Sequence, residues 1–217
     1  MEIKLNGNPD FGEAEVHLAS GESILAEAGA MSRMSDGIDL TTKLLGGFTQ
    51  SLLRKFLTQE SLVMGRYTAQ QPGYVALAPR YPGTVLQQQV SGQGLILTGG
   101  ALLACSENLQ IKPRFGGVRQ IFSGEGAFIM QCTGDGSLVL AAYGAVVEKQ
   151  VDRPFTVDTG HLVAWEPSLE YRIKGAGGIK QTLLSGEGLT MEFSGSGRIW
   201  LQSRNLGGFT HWLRKYC

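Results

Sequence analysis

A glutamate-centred turn segment occurs three times at nearly even spacing, and this recurrence restricts the fold more than any other feature. Leu57-Thr58-Gln59-Glu60-Ser61-Leu62 returns as Phe122-Ser123-Gly124-Glu125-Gly126-Ala127 and as Leu184-Ser185-Gly186-Glu187-Gly188-Leu189. The glutamates stand 65 and then 62 residues apart. Each copy runs on to Thr68, Thr133 or Ser194 and turns at Gly73, Gly134-Asp135-Gly136 or Gly195-Ser196-Gly197. It then enters Tyr74-Val75-Ala76-Leu77, Ser137-Leu138-Val139-Leu140 or Arg198-Ile199-Trp200-Leu201. Strand, tight turn and strand in succession are the signature of a β-hairpin. Upstream of each copy lies another strand with a glycine corner: Ser23–Met31, Leu95–Leu102 and Phe155–Leu162, with Gly29, Gly100 and Gly160 in one place. Repeats of this length are modules that cannot bury their apolar faces alone.

The expectation is an all-β body of three modules packed with pseudo-threefold symmetry, spanning residues 14–80, 81–144 and 145–205. Composition agrees. Gly is 31 of 217 residues, about twice its usual ~7% share, with only 7 Pro and no Gly-X-Y period. Two segments carry helical periodicity instead. Phe48, Leu52, Leu53 and Phe56 form an apolar stripe within residues 46–57, and Phe209, Trp212, Leu213 and Tyr216 form another in a C-terminal helix within 206–217. Both open on Leu-Gly-Gly-Phe-Thr. A closed β body need not bury both stripes, so these eight residues are the candidate interface of a homo-oligomer, with Trp212 the anchor. Contact of either helix with a membrane surface or a protein partner is the other reading.

Several segments resemble one known family. Ser123-Gly124-Glu125-Gly126, Ser185-Gly186-Glu187-Gly188, Asp158–Ala164 and Gly197–Asn205 are similar to hallmark segments of the mitochondrial-biogenesis ("altered inheritance of mitochondria") family, most of whose members are bacterial proteins of unknown function. The resemblance runs from about Ala14 to Trp212. It implies a triplicated β fold similar to the tryptophan RNA-binding attenuation protein, a short variant of the double-stranded β-helix. It brings no catalytic residues. The first copy departs from the pattern, with Gln59 and Ser61 where the others have glycines.

No assembled chemistry emerges from the residues. His17, His161 and His211 lack zinc-ligand spacing with one another or with Cys105, Cys132 and Cys217. His161, near Asp158, reads as a strand-end residue bound by a neighbouring backbone group; no nucleophile elbow accompanies it. Cys105 and Cys132 read as reduced apolar-core thiols. A threefold axis would bring Glu60, Glu125 and Glu187 together, which would require a cation or a raised pKa; otherwise each is held by its own turn or by an Arg such as Arg66, Arg119 or Arg204. The glycine clusters are strand connections and not phosphate loops. Lys112, Arg114 and Arg119 around Phe115 read as a solvated rim. Lys plus Arg and Asp plus Glu are both 19, so there is no strong nucleic-acid signal in the charge balance. The N-terminal residues read as neither a secretory signal nor a transit peptide, and the longest apolar run, Leu138–Val147, is 10 residues against the ~20 of a membrane span.

The sequence therefore points to a non-catalytic cytoplasmic β protein without a cofactor, acting as an oligomeric scaffold or interaction protein. An RNA- or small-ligand-binding module is the alternative, by fold analogy to the attenuation protein.

Overall fold

The computed structural model describes residues 1–44, 63–113, 129–174, 189–214 and 216. Glu60, Glu125 and Glu187, the glycines Gly126 and Gly188, and the first helical stripe (Phe48, Leu52, Leu53 and Phe56) lie outside the described residues. What is described is β-strands almost throughout, with one α-helix, α1, over Leu206–Leu213. No helix among the described residues is long and apolar enough to cross a membrane.

After a leading strand β1 (Glu2–Asn6), the strands come in sets of six. The first is β2 (Glu13–Leu18), β3 (Ser23–Glu27), β4 (Met31–Met34), β5 (Ile38–Leu44), β6 (Val63–Ala69) and β7 (Gly73–Leu77). The second is β8 (Gly83–Val90), β9 (Leu95–Thr98), β10 (Leu102–Ser106), β11 (Gln110–Pro113), β12 (Ile129–Thr133) and β13 (Gly136–Tyr143). The third is β14 (Val146–Val151), β15 (Phe155–Asp158), β16 (Leu162–Trp165), β17 (Glu170–Lys174), β18 (Thr190–Ser194) and β19 (Gly197–Gln202).

Within each set the same antiparallel pairs form: first with sixth, third with sixth, second with fifth and fourth with fifth. Each set is therefore a sandwich of two half-sheets. The turn read from the sequence as a β-hairpin is an arch instead. The strands on either side of it, β6 and β7, lie in different sheets, as do β12 and β13 and β18 and β19. The local signal specifies a reversal but not its plane. Each of these strands finds its ladder with strands earlier in its own set, and the glycine corner carries the backbone across the core.

The sandwiches join edge to edge. β3 pairs with β10, and β9 pairs with β16, which fuses half-sheets of neighbouring sets into two six-stranded sheets, β5-β6-β3-β10-β13-β8 and β11-β12-β9-β16-β19-β14. A closed pseudo-threefold body would need a third such joint, between β15 and β4. In the described structure β4 ends the sheet β1-β2-β7-β4, and β15 ends the sheet β15-β18-β17.

Three apolar clusters fill the sandwiches. One holds Val16, Val75 and Leu77 with Leu103, Ala104 and Val139; the central one holds Leu138, Leu140 and Cys132 with Leu25 and Trp200; the last holds Trp165, Phe193 and Met191 with Ile96. Neighbouring sets thus share cores. Leu25 and Ile96, both essentially fully buried, plug the core of the set that follows their own, and each such burial is worth on the order of 1.5–3 kcal/mol.

One polar contact recurs at the arches. The side-chain oxygens of Ser35, Ser106 and Glu166 accept from the backbone N–H of Tyr74, Ser137 and Arg198 at 2.9, 3.0 and 2.9 Å. The residue before each of these donors is glycine (Gly73, Gly136 and Gly197). A Cβ there would press into the accepting segment: into Ser35 at Gly73, Ser106 at Gly136 and Ser168 at Gly197.

Candidate interaction surface

The chain segments that link the sandwiches gather at one end. Phe11 bridges to Gly83, and Gly83 to Gly144. Ser203 N and Arg204 N donate to the carbonyls of Ala145 and Tyr143, which brings the start of α1 to the same place. Asn205 caps α1: its Oδ1 accepts from Gly208 N at 3.1 Å, and its Nδ2 donates to Asp158 Oδ1 at 3.4 Å. Asp158 Oδ1 also accepts from Gly160 N at 2.7 Å. The Gly160 backbone packs so closely on the Asn205 amide that a Cβ would collide with it. His161 Nδ1 donates to the Gln202 carbonyl at 2.8 Å, and Gln202 Nε2 donates to the Gly160 carbonyl at 2.9 Å. The Asp158–His161 segment thus anchors the last strand and the helix start. In this structure His161 is the strand-end residue that the sequence suggested, bound to a backbone group.

The capped helix lays out a continuous row of aromatic rings. Tyr81 meets Tyr143 edge-on at 5.8 Å between centroids, and Tyr143 meets Phe209 edge-on at 6.2 Å. Phe209 stacks on Trp212 at 6.0 Å, and Trp212 tilts against Tyr216 at 5.0 Å. Aromatic pairs at such spacings contribute roughly 0.5–1.5 kcal/mol beyond area burial. The row is nevertheless open to solvent at its far end: Phe209 is 42% exposed, Trp212 51%, Leu213 39%, Tyr216 70% and Leu206 43%. No residue of α1 is buried. The exposed Phe11 belongs to the same end of the molecule.

Of the eight residues marked in the sequence, the structure brings Phe209, Trp212, Leu213 and Tyr216 together on this surface. Sequence reasoning missed Tyr81 and Tyr143, which extend the row onto the β body. Their signal was present: an aromatic residue stands just before a glycine at each linker, in Phe11-Gly12, Tyr81-Pro82-Gly83 and Tyr143-Gly144. Arg204 precedes the helix, His211 lies in its last turn and Arg214 follows it, and no acidic residue follows Glu192.

Cys105 and Cys132 are free thiols in the central core, and burial pushes both up to about 12. A polar cleft of about 310 Å³ lies between the Gln88–Leu95 turn and Glu166, Pro167 and Ser168. Its cation, Arg198, is held by Glu166 at 2.8 Å and by Glu148 at 3.6 Å, and lies 5.2 Å over the Trp200 ring. These carboxylates, Glu166 first, raise the guanidinium's proton affinity further. Lys112 is exposed on β11, while Arg114, Phe115 and Arg119 lie outside the described residues.

The profile of the family described as "Mitochondrial biogenesis AIM24" matches residues 3–204. The chain belongs to this family. An uncharacterised protein of Streptococcus pyogenes serotype M6 is 29% identical over 225 residues, covering all of this chain and 91% of its own length. The X-ray crystal structure of a Streptococcus pyogenes protein superposes with a TM-score of 0.84 at 29% identity, covering 100% of this chain and 99% of its own. The AIM24 match stops before α1, so most of the aromatic row's exposed end lies beyond the residues that define membership.

Proposed function

We propose that this AIM24-family protein is a non-catalytic scaffold that acts by association, and that its first partner is a second copy of itself docked through α1. The observation that carries this reading is the unburied aromatic row. Phe209, Trp212 and Tyr216 are ordered by stacking on one another and on Tyr143, yet they leave much of their area in water. Contiguous exposed apolar surface of this kind marks an interface, and large aromatics dominate interface energetics. The formal net charge of zero removes long-range repulsion between copies. A reducing, cytoplasmic setting belongs to the same reading, since both core cysteines are free thiols.

Light scattering on a size-exclusion column tests it. Wild type should elute above 23.3 kDa at micromolar concentration, and Trp212→Ala should shift it to the monomer with its β circular dichroism unchanged. A wild-type monomer across that range refutes self-association. A second reading, binding of a small polar ligand, draws on the cleft beside Arg198; saturable stabilisation of the monomer by a metabolite library would favour it.

A further inference from the structure

The two joints inside the chain show what a joint requires, and the two outer ends lack it. At the joints Ala104 faces Ala26 and Ala164 faces Leu97. Across the partner strands, Ala104 and Ala164 face Val139 and Trp200, and the residue of β4 in that place, facing Ala76, is Arg33. All three strands carry a ladder irregularity just before this position. The extra residue there is Leu103 and Val163 at the joints, both fully buried, and the exposed Ser32 on β4. Val85 and Val146 pack into or against the preceding core; their counterpart on β2 is Glu13. Glu13 and Arg33 form a bidentate ion pair at 2.7 and 2.6 Å, with Glu15 also on Arg33 at 3.1 Å.

The other end differs in the same sense. Leu25 and Ile96 face Arg66 and Gln131 across the ladder and project into the next core; Thr156, facing Glu192, takes their place on β15 and is exposed. Met64 and Ile129 are buried, and their counterpart on β18 is Thr190. Apart from Ala76, the small counterpart of Val139 and Trp200, these positions are apolar at the joints and charged or hydroxylated at the ends. Edge charges are devices that block edge-to-edge pairing, and repeat stacks need polar outer units.

We propose that Glu13, Ser32 and Arg33 at one end, and Thr156 and Thr190 at the other, are stop residues. They hold the protein at three sandwiches by preventing β4 from pairing with β15 of a second copy. The blocked joint is antiparallel and head-to-tail, with Arg33 opposite Val157 and Met34 opposite Thr156. It is independent of the surface built by α1.

The test restores joint residues at one end at a time, in a Trp212→Ala background so that association through α1 does not contribute. One protein carries Glu13→Val, Ser32→Leu and Arg33→Ala; the other carries Thr156→Ile and Thr190→Ile. Each alone should retain the mass of the background protein. Mixed, they should form a species of one copy of each in analytical ultracentrifugation, and a single chain with all five changes should grow in steps with concentration. With Met34→Cys in the first protein and Thr156→Cys in place of Thr156→Ile in the second, oxidation should give a disulfide-linked pair. The proposal is overturned if the mixture shows no new species, if either protein pairs as readily with itself, or if the linked cysteines are not these two. Should the triple change unfold the protein, the milder Arg33→Ser with Glu13→Gln removes the charges alone, and its failure to associate with the second protein overturns the proposal equally. Loss of wild-type oligomers in Trp212→Ala bears on the α1 reading only, so the two can fail separately.

Discussion

The Ser106 hydroxyl accepts from Ser137 N at 3.0 Å, tying the end of β10 to the start of β13, its ladder neighbour in the same half-sheet. The contact exists because Gly136 precedes Ser137. A Cβ on Gly136 would stand 2.9 Å from Ser106 Cβ and 3.1 Å from its Oγ. Both strands are tied into ladders, so neither can move aside without breaking backbone hydrogen bonds. Gly136→Ala should therefore destabilise by about 1–3 kcal/mol, the usual cost of overpacking. For a chain of this size that lowers the thermal midpoint by roughly 2–4 °C per kcal/mol. Gly100→Ala is the control: its Cβ would meet nothing within 4 Å, and the midpoint should stay within about 0.5 kcal/mol of wild type. Equal melting of both variants would show that the close approach carries no strain.

The Asn205 cap makes a second prediction. Its side chain satisfies Gly208 N and reaches Asp158, while the helix it starts buries no residue. Asn205→Ala should weaken α1 by about 1 kcal/mol, as for other lost N-caps, without disturbing the β body. Amides of 206–213 should then exchange faster by roughly fivefold in native-state hydrogen exchange, with exchange in β13 and β19 unchanged. Slower association should accompany this, because the row from Phe209 to Tyr216 is held in place by the helix. Unchanged exchange would mean that stacking on Tyr143 alone holds α1.

These two sites show where sequence reasoning reaches and where it stops. The strand-rich fold was legible because turn glycines and short apolar runs are local signals. The helix near the C-terminus was legible from the spacing of Phe209, Trp212, Leu213 and Tyr216. The arch at Gly136 was read as a hairpin because a tight turn looks the same in both; which strand completes the ladder of β13 is decided by β8 and β10, about 50 and 35 residues upstream. The roles of Tyr81 and Tyr143 were hidden for the same reason, since their contact depends on two linkers meeting at one end. The stop residues were present in the aligned repeats, yet Arg33 or Thr156 gains meaning only once the pairs Ala104–Ala26 and Ala164–Leu97 are known.

The Glu13–Arg33 pair has a pH signature. The Arg33 hydrogen bond holds the Glu13 carboxyl below its ordinary value. A carboxylate with a depressed folded-state pKa contributes stability above its unfolded value and loses it as pH falls through the folded one. Both side chains are partly exposed, so solvent screening keeps the contribution small. Arg33→Ala should cost correspondingly little at pH 7 in urea titrations. The difference from wild type should vanish below the ordinary carboxylate range. A difference that persists at pH 2–3 would assign Arg33 a packing role instead.

The buried thiols act in the opposite direction. Desolvation pushes Cys105 and Cys132 up to about 12 in the folded chain, whereas unfolded thiols ionise near 8.5. Between these values the unfolded state releases protons that the folded state retains. Folding stability should therefore be full below about pH 8.5 and decline as pH rises toward 12, by at most about 1.4 kcal/mol per pH unit per thiol. Thiolate is the reactive form, so neither cysteine should react with an aromatic disulfide reagent at neutral pH while the protein is folded. Measured in a Cys217→Ser background, labelling should be limited by opening of the central sandwich and accelerate with urea in parallel with unfolding. Both cysteines should be labelled together, because Cys105 and Cys132 share one core with Leu138 and Leu140. Rapid labelling of either thiol in the native protein, or stability unchanged between pH 8 and 11, would show that this core admits solvent.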